Sequence, residues 1–305
     1  MVRERQLTDR LRAFFPSRRD VAVALGDDAA VVRTGSDRVA LCCDPVVEGV
    51  HYEAGTALGL VGRKAVNRNL SDLAAMGAQA DWLLVSVVMP RRGADQDLMA
   101  LLRGVRSAAG AAGAVVVGGD VATSGGPWVV TVSAFGRVRG RALTRDGLRV
   151  GDALYVTGAL GGSIAGHHLR FRPALAEGRW LASQDGVRAA MDVSDGLVLD
   201  LATMLAASGG LGAELDGAAI PVRAAARRLA HGDSRQALRR ALYDGEDHVL
   251  LFGLRRGLEL PSGGPLTARA RRPIGRVVRS AGITLKTRGS EERLEVRGFE
   301  HEWGQ

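Results

Sequence analysis

The sequence predicts an α/β or α+β fold in which mixed β-sheets are layered with helices. Two long helical patterns, over residues 59–76 and 95–112, alternate with short β-branched and apolar runs. The chain has 305 residues, which is longer than one average domain. We therefore expect two domains, over residues 1–148 and 149–305, with the boundary at the turn Arg149-Val150-Gly151-Asp152.

The first half of the chain is expected to alternate between helices and strands. Helical spacing of apolar residues predicts three helices, over residues 7–15, 59–76 and 95–112. The second of these ends at Gly77, a residue type that is common after helix C-termini. Runs of Val, Leu and Ala bounded by turn residues predict strands over residues 21–25, 38–43, 82–89, 114–117 and 128–138.

The second half has shorter patterns. We expect a strand over residues 153–157 and helices near 172–182 and 196–207. Short strands are expected over 282–286 and 293–296. Gly and Pro surround these last strands, which indicates a C-terminal region rich in turns.

The charge balance does not indicate a nucleic-acid interface. The formal net charge is +8, and nearly all of the excess comes from Arg, since Lys64 and Lys286 are the only lysines. A nucleic-acid surface concentrates basic residues in one run or on one face, and the sequence has no such run and no known binding motif. We therefore expect no nucleic-acid partner, although a positive field would help a phosphorylated substrate to bind.

Cysteine usage and hydropathy predict a cytoplasmic protein. Cys42 and Cys43 are adjacent, and neighbouring strand residues point to opposite faces, so a disulfide between them is not expected. Residues 1–12 are charged and lack the apolar segment of a signal peptide. No run approaches the roughly 18 apolar residues of a membrane span, so no membrane association is expected.

Acidic residues after apolar runs are the most informative pattern in the chain. Four such segments come where strands are predicted to end, and Asp72 joins them from the helix over 59–76. The four segments are Gly26-Asp27-Asp28, Cys43-Asp44, Gly118-Gly119-Asp120 and Asp192-Val193-Ser194-Asp195. Grouped carboxylates repel one another unless cations lie between them. Oxygen ligands on rigid elements favour Mg²⁺, which commonly carries substrate phosphates. The pattern therefore predicts a magnesium-dependent phosphoryl-transfer enzyme.

Each candidate residue also has a simpler interpretation. The segment 192–196 could cap a helix, which is worth about 1 kcal/mol, although two acids flanking Ser194 exceed what one cap needs. Neither lysine lies in a P-loop or a kinase-like context, so Arg145 is the candidate cation for phosphates, or else a solvated turn residue. His51 and Glu246 could contact a substrate or could be structural.

Taken in order, these segments resemble the thiamine-monophosphate kinase family. That family belongs to an ATP-binding superfamily with aminoimidazole ribonucleotide synthetase, selenophosphate synthetase and a hydrogenase maturation factor. The most specific match is the string Asn69-Leu70-Ser71-Asp72-Leu73-Ala74-Ala75-Met76-Gly77-Ala78. The other matching stretches, between residues 26 and 252, are Gly26–Ala30, Asp44–His51, Gly118–Asp120, Arg141–Arg145, Gly151–Gly158, Asp192–Leu197 and Gly245–Asp247.

The resemblance implies a two-domain fold like that of aminoimidazole ribonucleotide synthetase, in which the N-terminal domain binds ATP and Mg²⁺ and pairs in a homodimer. It also implies phosphorylation of thiamine monophosphate to thiamine diphosphate by direct in-line transfer from ATP, with several Mg²⁺ ions and no dedicated general base. The residues that would hold metal are Asp28, Asp44, Asp72, Asp120, Asp192 and Asp195. Those that would meet ATP are Gly119, Asp120, Arg145 and Ser194, and those that would meet thiamine monophosphate are His51, Glu246 and Trp303.

The chain departs from the family pattern at three places. Cys42 and Cys43 stand where Ser or Thr is usual before the aspartate of the second strand, and a thiol is a poor Mg²⁺ ligand. Val121 and Ala122 replace two hydroxyl residues, and His248 replaces a Tyr. Two alternatives therefore remain open: a sister ATP-dependent enzyme of the superfamily, and an ATP-binding scaffold without catalysis.

Overall fold

The computed structural model describes residues 19–24 and 26–299, and its strands form two mixed sheets. The strands of the first sheet are β1 (Val21–Val23), β2 (Ala30–Thr34), β3 (Asp37–Val47), β4 (Gln79–Pro90), β5 (Val115–Ser124) and β6 (Val129–Arg137). They lie in the order β1-β2-β3-β6-β4-β5. The neighbours β4 and β5 are parallel, and the other pairs are antiparallel.

The second sheet is built entirely from the later part of the chain. Its strands are β7 (Ala153–Val156), β8 (Val187–Asp192), β9 (Gly212–Asp216), β10 (Leu250–Leu254), β11 (Gly275–Val278), β12 (Gly282–Thr287) and β13 (Ser290–Leu294). They lie in the order β13-β12-β9-β11-β7-β10-β8, with β9 and β12 parallel. A second hydrophobic core lies on this sheet and includes the buried side chains of Leu197, Leu201 and Met204.

The helices lie between and around the sheets. They are α1 (Leu58–Ala75), α2 (Asp95–Ala112), α3 (His167–Arg170), α4 (Leu175–Ala182), α5 (Leu197–Ala207), α6 (Ala224–Leu229) and α7 (Ser234–Tyr243). Their ends follow local chemistry. The helix α2 ends at Gly113, whose left-handed conformation (φ 74°) suits a residue without a side chain. The helix α7 begins at Asp233, whose carboxylate accepts hydrogen bonds from the amides of Arg235 and Gln236.

The helix α1 connects the two sheets. It packs against β3 and β6 of the first sheet and also contacts β8 of the second. Much of its length is buried, and its buried residues include Lys64, Asn69 and Ser71 as well as apolar side chains. Burying a polar group costs free energy unless the group has a hydrogen-bonding or charged partner. We therefore expect the buried polar residues of α1 to have specific hydrogen-bonding or charged partners.

Two glycines allow α1 and α2 to approach closely. A Cβ atom added at Gly62 would lie 2.1 Å from the carbonyl oxygen of Leu101. A Cβ atom added at Gly104 would lie 2.0 Å from the carbonyl oxygen of Gly59. Real Cβ atoms do not approach a backbone so closely, so glycine sets the separation of this helix pair.

Most of the predicted elements are confirmed, and α2 has the predicted bounds. The strands β2, β9, β10 and β11 and the helices α3, α6 and α7 were not predicted. The predicted helix over 7–15 lies outside the described residues. The predicted boundary at 148/149 falls between β6 and β7, and the division into two domains stays a prediction.

The expectation that each acidic segment follows the end of a strand is wrong at two positions. Asp44 lies inside β3, because the ladder with β6 continues through Val46 and Val47. Asp120 lies inside β5, where it is exposed on a strand at the edge of the sheet. None of the helices within residues 19–24 and 26–299 combines the length and the apolar character needed to cross a bilayer.

Candidate active site

A cavity of about 640 Å³ lies where the two sheets and α1 meet. Its lining comes from the turn before β2, from β3 and α1, from the turn after β8, and from residues 244–248. Acids predominate among its charged residues: Asp27, Asp28, Asp44, Asp72, Asp192, Asp195, Asp244 and Glu246. Arg68, Arg145 and Arg240 are the arginines in the lining. The lining of the cavity therefore has more acidic than basic side chains.

Three carboxylates form the centre of this site. One oxygen each from Asp28, Asp72 and Asp192 lies within 4.8 Å of the other two. Burial, and then repulsion from the neighbouring carboxylates, raises the pKa of Asp72 well above its ordinary value. A hard divalent cation between these oxygens would remove the repulsion, so the donor set fits such an ion.

Asp192 is the most firmly held member of the cluster. Its Oδ2 accepts a hydrogen bond of 2.6 Å from the hydroxyl of Ser71 on α1 and lies 3.1 Å from Nδ1 of His248. The His248 ring stacks on Phe171 with its centroid 4.1 Å away. Although burial acts in the opposite direction, these hydrogen bonds hold the pKa of Asp192 below its ordinary value. Two elements from different parts of the chain thus orient this carboxylate.

Asp28 is paired with Arg145. The Arg145 guanidinium donates to both carboxylate oxygens, at 2.9 and 3.2 Å, and its backbone amide donates to Asp27. Burial nevertheless raises the pKa of Asp28 to about 7, because the attraction of Arg145 offsets only part of the desolvation. Arg145 therefore offsets the charge of one acid of the cluster.

Asn69 fixes β3 against α1. Its side-chain oxygen accepts a hydrogen bond of 2.9 Å from the Asp44 amide, and its own carbonyl accepts from the Cys42 thiol at 3.2 Å. Burial, and then the charges of Asp72 and Asp44, raise the pKa of Cys42 well above its ordinary value. The thiol stays neutral, while Cys43 is exposed and both cysteines are free.

Asp200, which was not predicted as a site residue, holds the turn after β8 in place. The carboxylate of buried Asp200 accepts from the amides of Asp195 and Gly196 at 3.1 Å. Burial, and then the nearby Asp195 and Asp192, raise the pKa of Asp200 well above its ordinary value. Asp200 caps its own helix, α5, and leaves Ser194 and Asp195 in the lining of the cavity.

The segment 244–248 closes the other side of the site. Glu246 has a positive φ of 58°, an uncommon conformation for a residue with a side chain, and its carboxylate lies 2.6 Å from Nζ of the fully buried Lys64. Lys64 also donates to the carbonyl of His51 at 2.5 Å. Asp247 accepts from the Gly161 amide and pairs with Arg223. These contacts hold the strained turn against α1 and against the loop after β7.

The structure gathers nine of the twelve predicted site residues in this cavity. They are Asp28, Asp44, Asp72, Asp192, Asp195, Arg145, Ser194, His51 and Glu246. Asp120 lies outside it, exposed and paired with Ser86 of β4. Gly119 is also outside, and an added Cβ there would lie 1.8 Å from the carbonyl oxygen of Val85, so the strand pairing by itself requires a glycine. Trp303 lies outside the described residues.

Several residues of the site were not predicted as site residues from the sequence. Ser71, Lys64 and His248 act through partners that are distant along the chain, as in the Ser71–Asp192 hydrogen bond across 121 residues. Arg68 lines the cavity from α1. A useful signal was available for α1, because a polar residue at a helix position that is otherwise apolar indicates a specific contact.

Comparisons with known proteins show which family the chain resembles. Residues 26–138 match the family described as AIR synthase related protein, N-terminal domain. Thiamine-monophosphate kinase of Rhodopirellula baltica is 37% identical over 295 residues, covering 92% of each chain. Thiamine-monophosphate kinase of Escherichia coli is 36% identical over 270 residues, covering 80% of this chain and 79% of that protein.

A solved structure of a related protein has the same fold. It is described as AaThiL complexed with AMPPCP and TMP, and it superposes with a TM-score of 0.86 at 27% identity. The match covers 99% of this chain and 97% of that one. The two mixed sheets and the match over residues 26–138 place the chain among proteins with an AIR synthase-like fold. Within that class, the chain belongs to the thiamine-monophosphate kinase family.

Proposed function

We propose that this chain transfers the γ-phosphoryl group of ATP to thiamine monophosphate, giving thiamine diphosphate and ADP. The observation that carries the proposal is the convergence of Asp28, Asp72 and Asp192 within 4.8 Å, in a cavity whose lining also includes the predicted nucleotide residues Arg145 and Ser194 and the predicted substrate residues His51 and Glu246. The relative described with AMPPCP and TMP supports the same pair of substrates.

The acidic cluster is the proposed site for Mg²⁺. Asp28, Asp72 and Asp192 would hold the first ion, and Asp44 and Asp195 lie in the same lining for further ions. Bound there, Mg²⁺ would neutralise phosphate oxygens and bring two anionic reactants together. Asp120 is a sixth proposed ligand, and its position on β5 lies outside the cavity of this single chain.

The residues of the chain position the two reactants, and none of them acts as a general base. A phosphate oxygen of thiamine monophosphate attacks the γ-phosphorus, the bond from that phosphorus to the β–γ bridging oxygen breaks, and ADP leaves with the bond's electrons. The attacking phosphate has its second pKa at about 6, so it needs no further deprotonation near neutral pH. We propose that Arg145 and Ser194 meet the nucleotide, with Gly119 and Asp120 from β5.

The part of the cavity that is lined by Glu246 and His51 suits the cationic part of thiamine monophosphate. Although burial acts in the opposite direction, Lys64 holds the pKa of Glu246 below its ordinary value, so the Glu246 carboxylate stays ionised. The thiazolium ring carries a positive charge that such a carboxylate attracts. His51 also lines this part of the cavity, and we propose that both residues contact the substrate.

An assay of product formation tests the proposal. The protein is incubated with ATP, Mg²⁺ and thiamine monophosphate, and thiamine diphosphate and ADP are measured. We expect both products in equal amounts. Nucleotide binding without turnover would support an ATP-binding scaffold instead. Turnover of ATP that does not need thiamine monophosphate would support a sister enzyme of the superfamily.

Homodimerisation is proposed from the exposed apolar part of the first sheet. Trp82 and Leu84 of β4 and Val115 and Val117 of β5 are at least 39% exposed in the single chain. The strand β5 also lies at the edge of its sheet. Contiguous exposed apolar residues at a sheet edge usually mark an interface, and a second copy of this chain would cover them. The cytoplasmic location stays a prediction that the two free thiols favour.

A further inference from the structure

The three arginines that line the cavity differ in what they bind. Arg145 is engaged by Asp28, and Arg240 pairs with Asp244 at 3.3 Å. Among residues 19–24 and 26–299, Arg68 has no ion pair or hydrogen bond through its side chain, and its Nε atom is buried without a partner. A buried guanidinium nitrogen without an acceptor carries a desolvation cost that a bound anion would relieve.

The helical repeat places Arg68 between the two ends of the site. Lys64, Arg68 and Asp72 are spaced four residues apart on α1 and therefore lie along one face. Lys64 binds Glu246 at the proposed thiamine end, and Asp72 belongs to the acidic cluster at the proposed metal end. Arg68 lies close enough to Asp72 and to Glu246 for its positive charge to act on both carboxylates.

A substrate that spans these two ends must place its phosphate close to Arg68. Eight acids line the cavity, so a phosphate that enters without a positive partner is repelled. The guanidinium group presents a planar fork of donors that matches phosphate oxygens. Arg145 is on the side of Asp28, where the nucleotide is proposed to bind, which leaves Arg68 for the acceptor.

We propose that Arg68 binds the non-bridging phosphate oxygens of thiamine monophosphate and makes the site select the phosphorylated substrate over thiamine. The inference rests on the proposed function, because it assumes that thiamine monophosphate is the acceptor. It assigns Arg68 a contact with the substrate phosphate. Binding of the thiamine ring system is left to the other end of the cavity.

The test compares binding of thiamine monophosphate and of thiamine by calorimetry, with Mg²⁺ present, in the wild-type protein and in Arg68→Met. We expect Arg68→Met to weaken binding of thiamine monophosphate by about 10- to 100-fold, because it removes a charge-assisted hydrogen bond. Binding of thiamine should not change. In the steady state, KM for thiamine monophosphate should rise while KM for ATP stays constant. Arg68→Lys, which keeps the charge and loses the fork, should lie between these results.

A matched control lies on the same helix. Arg63 also has a buried Nε atom without a hydrogen-bond partner, but it does not line the cavity. Arg63→Met should leave binding of both ligands unchanged, and thermal melting of each variant should show that its fold is intact. This control separates a contact with phosphate from a general effect of removing an arginine from α1.

Three outcomes would overturn the inference about Arg68. Equal losses for thiamine and thiamine monophosphate would show that Arg68 only supports the structure. Unchanged binding of both would show that it contacts neither ligand. A selective loss of binding of a nonhydrolysable ATP analogue would place Arg68 at the nucleotide. If the wild-type protein binds neither thiamine compound, the proposed function fails together with this inference, and that result is distinct from the other three.

Discussion

At the scale of single residues, the candidate site contains buried carboxylates that lower the stability of the folded chain. Asp72 is surrounded by other carboxylates, and its pKa is raised by burial and by their repulsion. Asp81 is the opposite case, since hydrogen bonds from Arg137 lower its pKa. Groups that are destabilised in this manner cluster at functional sites more often than elsewhere.

Replacing Asp72 with Asn should separate stability from activity. We expect Asp72→Asn to lower kcat by about 100-fold or more, because a charged group that acts in the transition state is removed. The melting temperature of the metal-free protein should rise by roughly 2–4 °C, since the repulsion is removed as well. Activity assays and thermal melts in EDTA measure the two effects.

Asp81→Asn serves as the control for this prediction. It should leave kcat unchanged and lower stability by about 1 kcal/mol, because it breaks a partly exposed ion pair. Near-normal turnover in Asp72→Asn would show that Asp72 is not a metal ligand.

His167 should make stability depend on pH. Burial, and then the charge of Arg223, lower its pKa to about 4, although the hydrogen bond of Nε2 to the Asp247 carbonyl acts in the opposite direction. Arg223 donates to Nδ1, so protonation would remove the acceptor. Between pH 6.5 and 4 the unfolded chain therefore takes up a proton that the folded chain does not. The free energy of unfolding should fall as the pH falls through this window.

Urea unfolding at pH 7 and at pH 4.5 measures this effect. His167→Gln keeps an acceptor and a donor but cannot be protonated, so the midpoint should fall less between the two pH values than in the wild-type protein. His231→Asn, in an exposed turn, should leave the dependence unchanged. Equal dependence in the wild type and in His167→Gln would exclude His167 as its source.

Residue roles were predictable where they depend on a local motif, and not where they depend on packing. The acids of the motif around Asp192 could be assigned as ligand candidates from the sequence. The contacts of Ser71 and His248 with Asp192 could not, because they form only when distant segments pack together. The position of Asp120 outside the cavity also depends on sheet order, which no local pattern determines.

At the scale of elements, local signals decide how well the sequence predicts structure. The bounds of α2 were predictable, because an apolar period of 3.6 residues runs up to a left-handed glycine. The strand β2 was not, since it is five residues long and two of them are exposed and polar. Short strands such as β9 and β11 gain their stability from neighbours in the sheet and not from their own composition.

The close approach of α1 and α2 gives a prediction with a built-in control. Gly104→Ala should lower stability by about 1–3 kcal/mol, because the new methyl group would meet the backbone of Gly59. Gly110→Ala, on the same helix, has nothing within 4 Å and should raise stability by roughly 0.5–1 kcal/mol. Urea midpoints measure both, and two changes of the same sign would contradict this account of the helix contact.

At the scale of the whole molecule, the first sheet has an exposed apolar edge in the single chain. One edge consists of β5, on which Val115, Val117 and Val121 are exposed. This surface lies in the part of the chain that matches the AIR synthase related family. A partner that covers it would also cover the strand that carries Asp120.

A charge placed on this edge should abolish self-association. Val115 is 56% exposed in the single chain, and a carboxylate in an apolar interface is costly. Val115→Asp should therefore yield monomers, measured by analytical ultracentrifugation at micromolar concentration. Val150→Asp, at a position 47% exposed in a turn between the sheets, should leave the mass unchanged. A wild-type protein that sediments as a monomer would end the homodimer proposal.

The role of α1 in joining both sheets has a consequence for biosynthesis. Asp28 and Asp72 leave the ribosome long before Asp192 and His248 are synthesised, and neither the second sheet nor its contact with α1 can exist until then. Contacts between segments this far apart form slowly, because a large loop must close first. A nascent chain should therefore acquire affinity for magnesium and nucleotide only after the strands of the second sheet have been synthesised.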